Sequence, residues 1–256
     1  MTTWTITEIK KKIEAGSFSA AELEQFRQDT RKGVQKLMKQ YEKKQAKKAQ
    51  LKAQFEEMMA FEYAAREKGK QMIAGIDEAG RGPLAGPVVA GAVVLPDHFY
   101  LEGLNDSKKL SLSKREQYFD YIKEHADYGV GIVSNEEIDQ LNIYQATKLA
   151  MKRAVEDLNH APDHLLVDAM ELDQNISQQS LIKGDARSVS IAAASVIAKV
   201  TRDRYMGDLH ESYPMYQFAS NQGYGTSEHL SAMREHGISP YHRHSFSPVR
   251  EVRSGQ

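Results

Sequence analysis

Residues 74–96 read AGIDEAGRGPLAGPVVAGAVVLP. Met72 to Asp77 and Val88 to Leu95 are apolar runs rich in β-branched residues, and the glycines and prolines of 80–87 interrupt them. Both runs read as buried strands, so the chain must fold around a sheet that it covers. Asp77, Glu78 and Arg81 stand at the edge of that segment, where an unpaired charge is costly.

A chain of 256 residues, 41% hydrophobic and 27% charged, is long enough for one sizeable core plus an appendage. No apolar run approaches the roughly 20 residues that span a bilayer, and MTTWTITEIKKK lacks the basic-then-apolar order of a signal peptide. The expected location is the cytoplasm, away from membranes. The absence of cysteine excludes disulfides, thiolate catalysis and Cys-ligated metals, so any metal must sit on oxygen or imidazole.

The formal net charge of −1 conceals a division. Residues 1–70 hold 16 Lys and Arg against 10 Asp and Glu, and the other 186 hold 18 against 25, or +6 against −7. A basic arm on an acidic body is expected, with a boundary near Gly69: a helical extension over 1–70 and a body over 71–256. In the arm, Thr5 with Glu8 and Ser19 with Glu22 form capping boxes that open helical patterns, and Gly16 separates them. Between Lys36 and Lys52 there are seven lysines and one acid, and Lys36, Lys39, Lys43 and Lys47 share a helical face. That face suits the phosphates of a nucleic acid; a solvated surface helix explains it equally well.

In the body, Ser113 with Glu116 predicts a helix through Ala126, residues 128–134 a third strand, Glu136 to Leu158 a long helix, and 164–170 a short buried strand. A helix of small residues starts near Ser188. The order implies an α/β sandwich with a mixed sheet. Asp77 and Asp168 each end a predicted strand, and adjacent strands lie about 4.8 Å apart, so the two carboxylates can share an ion. Strand alternation sends Glu78 to the opposite face from Asp77, and it joins the pair only if the strand bends or its longer side chain reaches round. Asp185 falls just before a helix N-terminus, which favours an anion. Clustered carboxylates without cysteine point to Mg²⁺ or Mn²⁺, although an Asp at a strand end is more often a turn or cap residue.

The motifs GIDEAGRGPLAGPVVAGAVVL, LNDSKKLS, NIYQATKLAMKRA, LLVDAM, KGDARSVSIAAASVIAKVTRD, GYGTSEHL and HRHSF, in this order, resemble bacterial ribonuclease HII, the type 2 ribonuclease H. The resemblance covers nearly all of 71–250. It implies the ribonuclease H-like α/β fold, a mixed β-sheet flanked by helices, here with a small helical N-terminal extension. It also implies metal-dependent hydrolysis of RNA paired with DNA, and cleavage 5′ to single ribonucleotides in duplex DNA, leaving 3′-hydroxyl and 5′-phosphate ends. The catalytic and metal-binding acids carry over onto Asp77, Glu78, Asp168 and Asp185. Gly80, Arg81 and Gly82 match the loop that holds the ribose 2′-hydroxyl, Lys108 a phosphate-contacting lysine, and Tyr224 the tyrosine that stacks on the following sugar. The implied partners are RNA–DNA hybrids and ribonucleotide-containing duplex DNA, bound by a monomer.

Three other readings stay open at this level. The paralogous ribonuclease HIII usually reads GTG where this chain has GRG, and carries a β-rich N-terminal domain. A non-catalytic nucleic-acid-binding protein would use the acids as caps. A metal-dependent phosphatase would need no lysine helix.

Overall fold

The computed structural model describes residues 4–254. They divide into two compact units between Gln54 and Phe55. Both capping boxes form: Thr5 opens α1 (Ile6–Ala15) and Ser19 opens α2 (Ala20–Gln28). Gly16, with φ of 64°, ends α1 in the left-handed conformation that glycine adopts without steric penalty. These helices and the first part of α3 (Lys32–Met58) enclose Ile9, Phe26, Val34 and Met38. Every residue from Glu42 to Gln50 is exposed.

The second unit begins inside α3. Phe55, Met58 and Met59 join the apolar cluster of Val93, Phe99 and Ile197, and Phe61 and Ala65 of α4 (Ala60–Glu67) pack with Ile73, Leu166, Leu181 and Ile191. Gly69, the expected join, follows α4 with φ of 82°, but the compact units part upstream of it because residues 55–65 bury apolar side chains in the larger core.

The sheet of this unit contains β1 (Ile73–Ala79), β2 (Val88–Val94), β3 (Asp127–Val133), β4 (His164–Asp168) and β5 (Ser177–Leu181) in the order β3-β2-β1-β4-β5. β1–β2 and β2–β3 are antiparallel, whereas β1–β4 and β4–β5 are parallel, giving the expected mixed sheet. All seven residues of β2 are buried, as a strand covered on both faces requires. α5 (Leu112–His125) follows β2. α6 (Asn135–Leu141) and α7 (Ile143–Glu156) follow β3, and α8 (Val189–Ser212) follows β5. Ala74, Ile76, Ala90 and Val167 meet Ala150, Met151 and Ala154 of α7 on one face. Val93 meets Ala193 and Ile197 of α8 and Ile122 of α5 on the other. A last apolar cluster gathers Leu84, Met206, Phe218, Met233 and Val249 around α9 (Phe218–Asn221), α10 (Ser227–His236) and α11 (Ser247–Ser254).

The local differences from the sequence expectations have local causes. The single helix expected over 136–158 is two, because Asn142 takes φ of 71° and its side chain accepts from the backbone N–H of Tyr144 and Gln145, capping α7. α5 is capped by Ser111 rather than Ser113, with Lys114 N–H donating to Ser111 Oγ at 3.3 Å. The strand expected over 164–170 ends at Asp168, and Ala169 turns with φ of 49°. Among the described residues, no helix is long and apolar enough to cross a membrane.

The packing of α7 on β3 depends on absent side chains, since a Cβ at Gly131 would fall on the carbonyl oxygen of Ala150. Gly131→Ala is therefore expected to lower stability by about 1–3 kcal/mol through overpacking. Urea denaturation read by circular dichroism checks this.

Candidate active site

The parallel register of β1 and β4 pairs Ile76 with Val167, so the next residues, Asp77 and Asp168, emerge side by side. Both point to the α8 face, in phase with Gly75 and Leu166. Glu78 leaves on the opposite phase. It nevertheless completes the group, and carboxylate oxygens of Asp77, Glu78 and Asp168 lie within 4.8 Å of one another. At Glu78, β1 has outrun β4 and keeps only its β2 partner, Ala90, which leaves room for the longer side chain to reach across.

Each acid is held by neighbours. Asp77 Oδ1 accepts from Glu78 N–H at 2.7 Å, and the Ser195 hydroxyl stands near enough to favour its charged form. Ser195, on α8, is 2.8 Å from the Ser107 hydroxyl. Asp168 Oδ1 accepts from Gly184 N–H at 2.6 Å. Glu78 Oε1 accepts from Arg81 Nη1 at 3.2 Å, while its Oε2 is buried without a hydrogen-bond partner. Asp185, in the 3₁₀ turn Gly184–Ala186, is 9% exposed and stands outside the three-carboxylate group, although it feels the charges of Asp106, Asp168 and Lys108.

Burial pushes Asp77 well above the ordinary carboxylate range, and the charges of Glu78 and Asp168 push it further. Burial also raises Glu78, with Arg81 opposing, and raises Asp168 and Asp185. Burial works against the charge of Lys108, but Asp77, Asp106, Asp185 and Glu78 outweigh it and raise its pKa. The donor set is all hard oxygen, its charges repel, and one buried oxygen lacks a donor; these properties fit a divalent cation such as Mg²⁺ or Mn²⁺.

A cleft of about 340 Å³ runs from Glu78 past Gly80, Arg81, Gly82 and Lys108 to Tyr224, so all five expected substrate-binding residues line one depression. The Tyr224 side chain is not core packing: the residue is 47% exposed, and a Cβ at Gly82 would sit 3.4 Å from its ring. Its backbone is fixed by a chain of imidazoles. Ser239 N–H donates to His242 Nδ1 at 2.9 Å, which leaves His242 Nε2 as donor to His229 Nε2 at 3.0 Å, and His229 Nδ1 as donor to the Tyr224 carbonyl at 2.8 Å. These tautomers follow from the hydrogen-bond network. Burial lowers the pKa of both rings, His242 to about 3, so both are neutral near pH 7.

Sequence reasoning missed the two buried arginines beneath this cleft. Arg243 Nη2 donates to the carbonyls of Gly80 (2.6 Å) and Pro87 (3.1 Å), Nη1 to Arg81 (3.0 Å) and Nε to Gly86 (2.9 Å). Arg202 donates to Pro87 and Gln222 at 3.0 Å and to Ala85 at 3.2 Å. Gly80 has φ of 96°, and a Cβ there would collide with Arg202, so glycine is required on both counts. Burial draws Arg202 down to about 10; burial and the Arg202 charge draw Arg243 down to about 9; both remain cationic at neutral pH. The motifs HRHSF and TRD contain them, but nothing in periodicity marks a buried guanidinium that serves carbonyls. Asp106, within NDSKK, was missed for the same reason: it reads as a turn residue, and it does cap residues 107–109 while adding a negative charge near Asp168 and Asp185.

A family model described as Ribonuclease HII matches residues 74–249, and another described as Ribonuclease HII N-terminal domain matches residues 5–66. The chain is 51% identical over 251 residues to the ribonuclease HII of Oceanobacillus iheyensis, covering 97% of this chain and 96% of that one. To the ribonuclease HII of Bacillus cereus strain B4264 it is 58% identical over 225 residues, 88% of each chain. The solved structure of the ribonuclease H2 from Pyrococcus horikoshii OT3 is similar with a TM-score of 0.63 at 28% identity, covering 72% of this chain and 98% of that one.

The acids burden the metal-free fold. A carboxyl whose folded pKa is raised destabilises the native state increasingly as pH climbs from its ordinary 3.8 through the raised value. Asp77→Asn should therefore raise the melting temperature of the metal-free protein at neutral pH, by about 2–4 °C for each kcal/mol of repulsion and desolvation removed. The gain should shrink toward pH 4. Thermal melts in chelator at several pH values check the sign.

Proposed function

The chain belongs to the ribonuclease HII family and is a nuclease acting on the RNA of RNA–DNA hybrids; from that premise we propose that it also cuts 5′ to single ribonucleotides embedded in duplex DNA, releasing 3′-hydroxyl and 5′-phosphate ends. The observation that carries this reading is that Asp77, Glu78 and Asp168 meet within 4.8 Å at the end of a cleft walled by Gly80, Gly82 and Tyr224. Asp77, Glu78 and Asp168 would hold divalent metal, with Asp185 assisting from the adjoining turn. When bound, a pair of Mg²⁺ or Mn²⁺ ions lowers the pKa of an attacking water and stabilises the leaving oxygen.

The protein's own groups supply orientation. The ammonium of Lys108, kept charged by four surrounding acids, is placed for a phosphate of the scissile strand. The Gly80–Gly82 backbone approaches a sugar without side-chain hindrance, and a 2′-hydroxyl is the group that distinguishes RNA from DNA there. Arg243 and Arg202 keep the carbonyls of residues 80, 81, 85, 86 and 87 turned inward, so this loop meets substrate already ordered. Tyr224 offers its exposed ring to the following deoxyribose. The proposed form is a monomer and the proposed setting the cytoplasm.

The exposed lysines of α3 are proposed to bind the duplex backbone. Among the described residues none of Lys43, Lys44, Lys47, Lys48 and Lys52 is in an ion pair, so their charge is free for phosphates.

Cleavage of a duplex with one ribonucleotide, in the presence and absence of metal, tests the reading directly. Asp77→Asn or Asp168→Asn should lose more than about a thousandfold in rate, roughly 4 kcal/mol of transition-state stabilisation, with binding retained. Tyr224→Ala should slow cleavage at an RNA-to-DNA junction about 5- to 150-fold more than within a long hybrid, as expected for one lost stacking contact. Failure of the wild type to cut a lone ribonucleotide would sink the embedded-ribonucleotide assignment.

Replacing Lys43, Lys44, Lys47, Lys48 and Lys52 together by Gln should leave the rate at saturating substrate intact and flatten the slope of log affinity against log salt by about 0.9 per lost phosphate contact. An unchanged slope in fluorescence-anisotropy titrations would return these lysines to a solvating role.

A further inference from the structure

Glu62 is a carboxylate with no reason to be buried in a simple packing helix. It lies on α4 and is 3% exposed, with no cation paired to it among the described residues. One oxygen, Oε1, accepts three hydrogen bonds: from Ser188 Oγ at 2.6 Å, Ser190 N–H at 3.0 Å and Ser190 Oγ at 2.7 Å. The other, Oε2, is buried with no partner. An apolar side chain of similar volume would fill the space without that desolvation, so packing alone does not account for the acid.

What Glu62 grips is the first turn of α8. Ser188 caps this helix, its Oγ accepting from Ile191 N–H at 3.2 Å while donating to Glu62. The carboxylate thereby faces the positive end of a 24-residue helix. Ser188 N–H in turn donates to the Gly184 carbonyl at 2.8 Å, closing the turn that contains Asp185. The far end of the same turn is held by Asp168, which accepts from Gly184 N–H. Next to Glu62, the ring of Phe61 lies 5.0 Å from the guanidinium of Arg187, so α4 touches the turn twice.

Asp185 is thus carried on a short bridge with one end fixed by Asp168 and the other by Glu62. It is also the one expected metal ligand that the strands do not place, since it sits outside the three-carboxylate group. We infer that Glu62 is a positioning residue for Asp185: by pinning Ser188 and Ser190 it sets where the 184–188 turn presents that carboxylate to the metal. This inference rests on the reading of Asp185 as a ligand given above. It also gives α4, within the stretch matched as the N-terminal domain of the family, a part in the active site of the larger unit.

Full-length Glu62→Ala, Asp185→Asn and the double variant test it, by calorimetric titration of Mn²⁺ without nucleic acid and by melting curves. Removing a group that orients a metal ligand weakens metal binding about 10- to 100-fold, so Glu62→Ala should weaken Mn²⁺ binding within that range. In the double variant the loss should be no greater than for Asp185→Asn alone, because both changes act through one carboxylate. Glu62→Gln keeps an acceptor oxygen for the two serines and should retain most of the Mn²⁺ affinity; Ser188→Ala should weaken it in the same direction as Glu62→Ala. These two also carry the test if Glu62→Ala fails to fold. Losses that multiply in the double variant, or unchanged Mn²⁺ binding with only a lower melting temperature, would overturn the inference and leave Glu62 a staple of the helix. Unchanged binding in Asp185→Asn would instead overturn the role of Asp185 itself.

Discussion

Helix α8 lies directly on the sheet because two glycines remove the side chains that would hold it away. A Cβ at Gly75 would collide with the Ser190 backbone, and one at Gly91 would sit 2.6 Å from the Ala194 carbonyl oxygen. The helix answers with small residues, Ala192, Ala193, Ala194 and Ser195, all buried. Close-packed interiors transmit such contacts with little slack. Three supports of the site are then strung along one rigid element: Asp185 just before its start, Ser195 near Asp77, and Arg202 under the Gly80 loop. Met206 carries it into the C-terminal cluster.

That arrangement concentrates charge of both signs. Asp77, Glu78, Asp168, Asp185 and Asp106 gather at one end of the sheet, and burial raises the pKa of the first four. Arg81 and Lys108 answer at the rim. Arg202 and Arg243, which are 1% and 0% exposed, bond to backbone carbonyls rather than to acids. A guanidinium bonded to carbonyls stays a net positive charge, whereas one paired with a carboxylate does not. The floor of the cleft is therefore cationic beside an anionic metal site, which suits a substrate that is itself a polyanion needing metal. Sites of this kind lower the stability of the fold they sit in, and the wide apolar core of the larger unit offsets it.

The sequence made the acids legible because strand ends are legible. Asp77 and Asp168 follow apolar, β-branched runs, and a parallel pairing one residue upstream does the rest. Lys108, Tyr224 and the glycines came from motif resemblance, not from periodicity, and the structure brings them to one cleft. The polar edge strand β5, SQQSL, has a single buried residue and so no hydrophobic signature to read. The break at Asn142 was invisible for another reason: an asparagine within an amphipathic run fits a continuous helix as well as it fits a left-handed cap.

By itself, then, the sequence determined four of the five strands, the principal helices and the acids at two strand ends, because those depend on local composition and on side-chain period. It also determined the basic character of α3. Only the tertiary structure decided that Glu78 reaches Asp77, that residues 55–65 belong to the larger core, and that Glu62, Arg202 and Arg243 are buried around the site. The last three are held by residues distant along the chain, through hydrogen bonds to backbone or to serine. Such bonds depend on position in space and leave no period in the sequence.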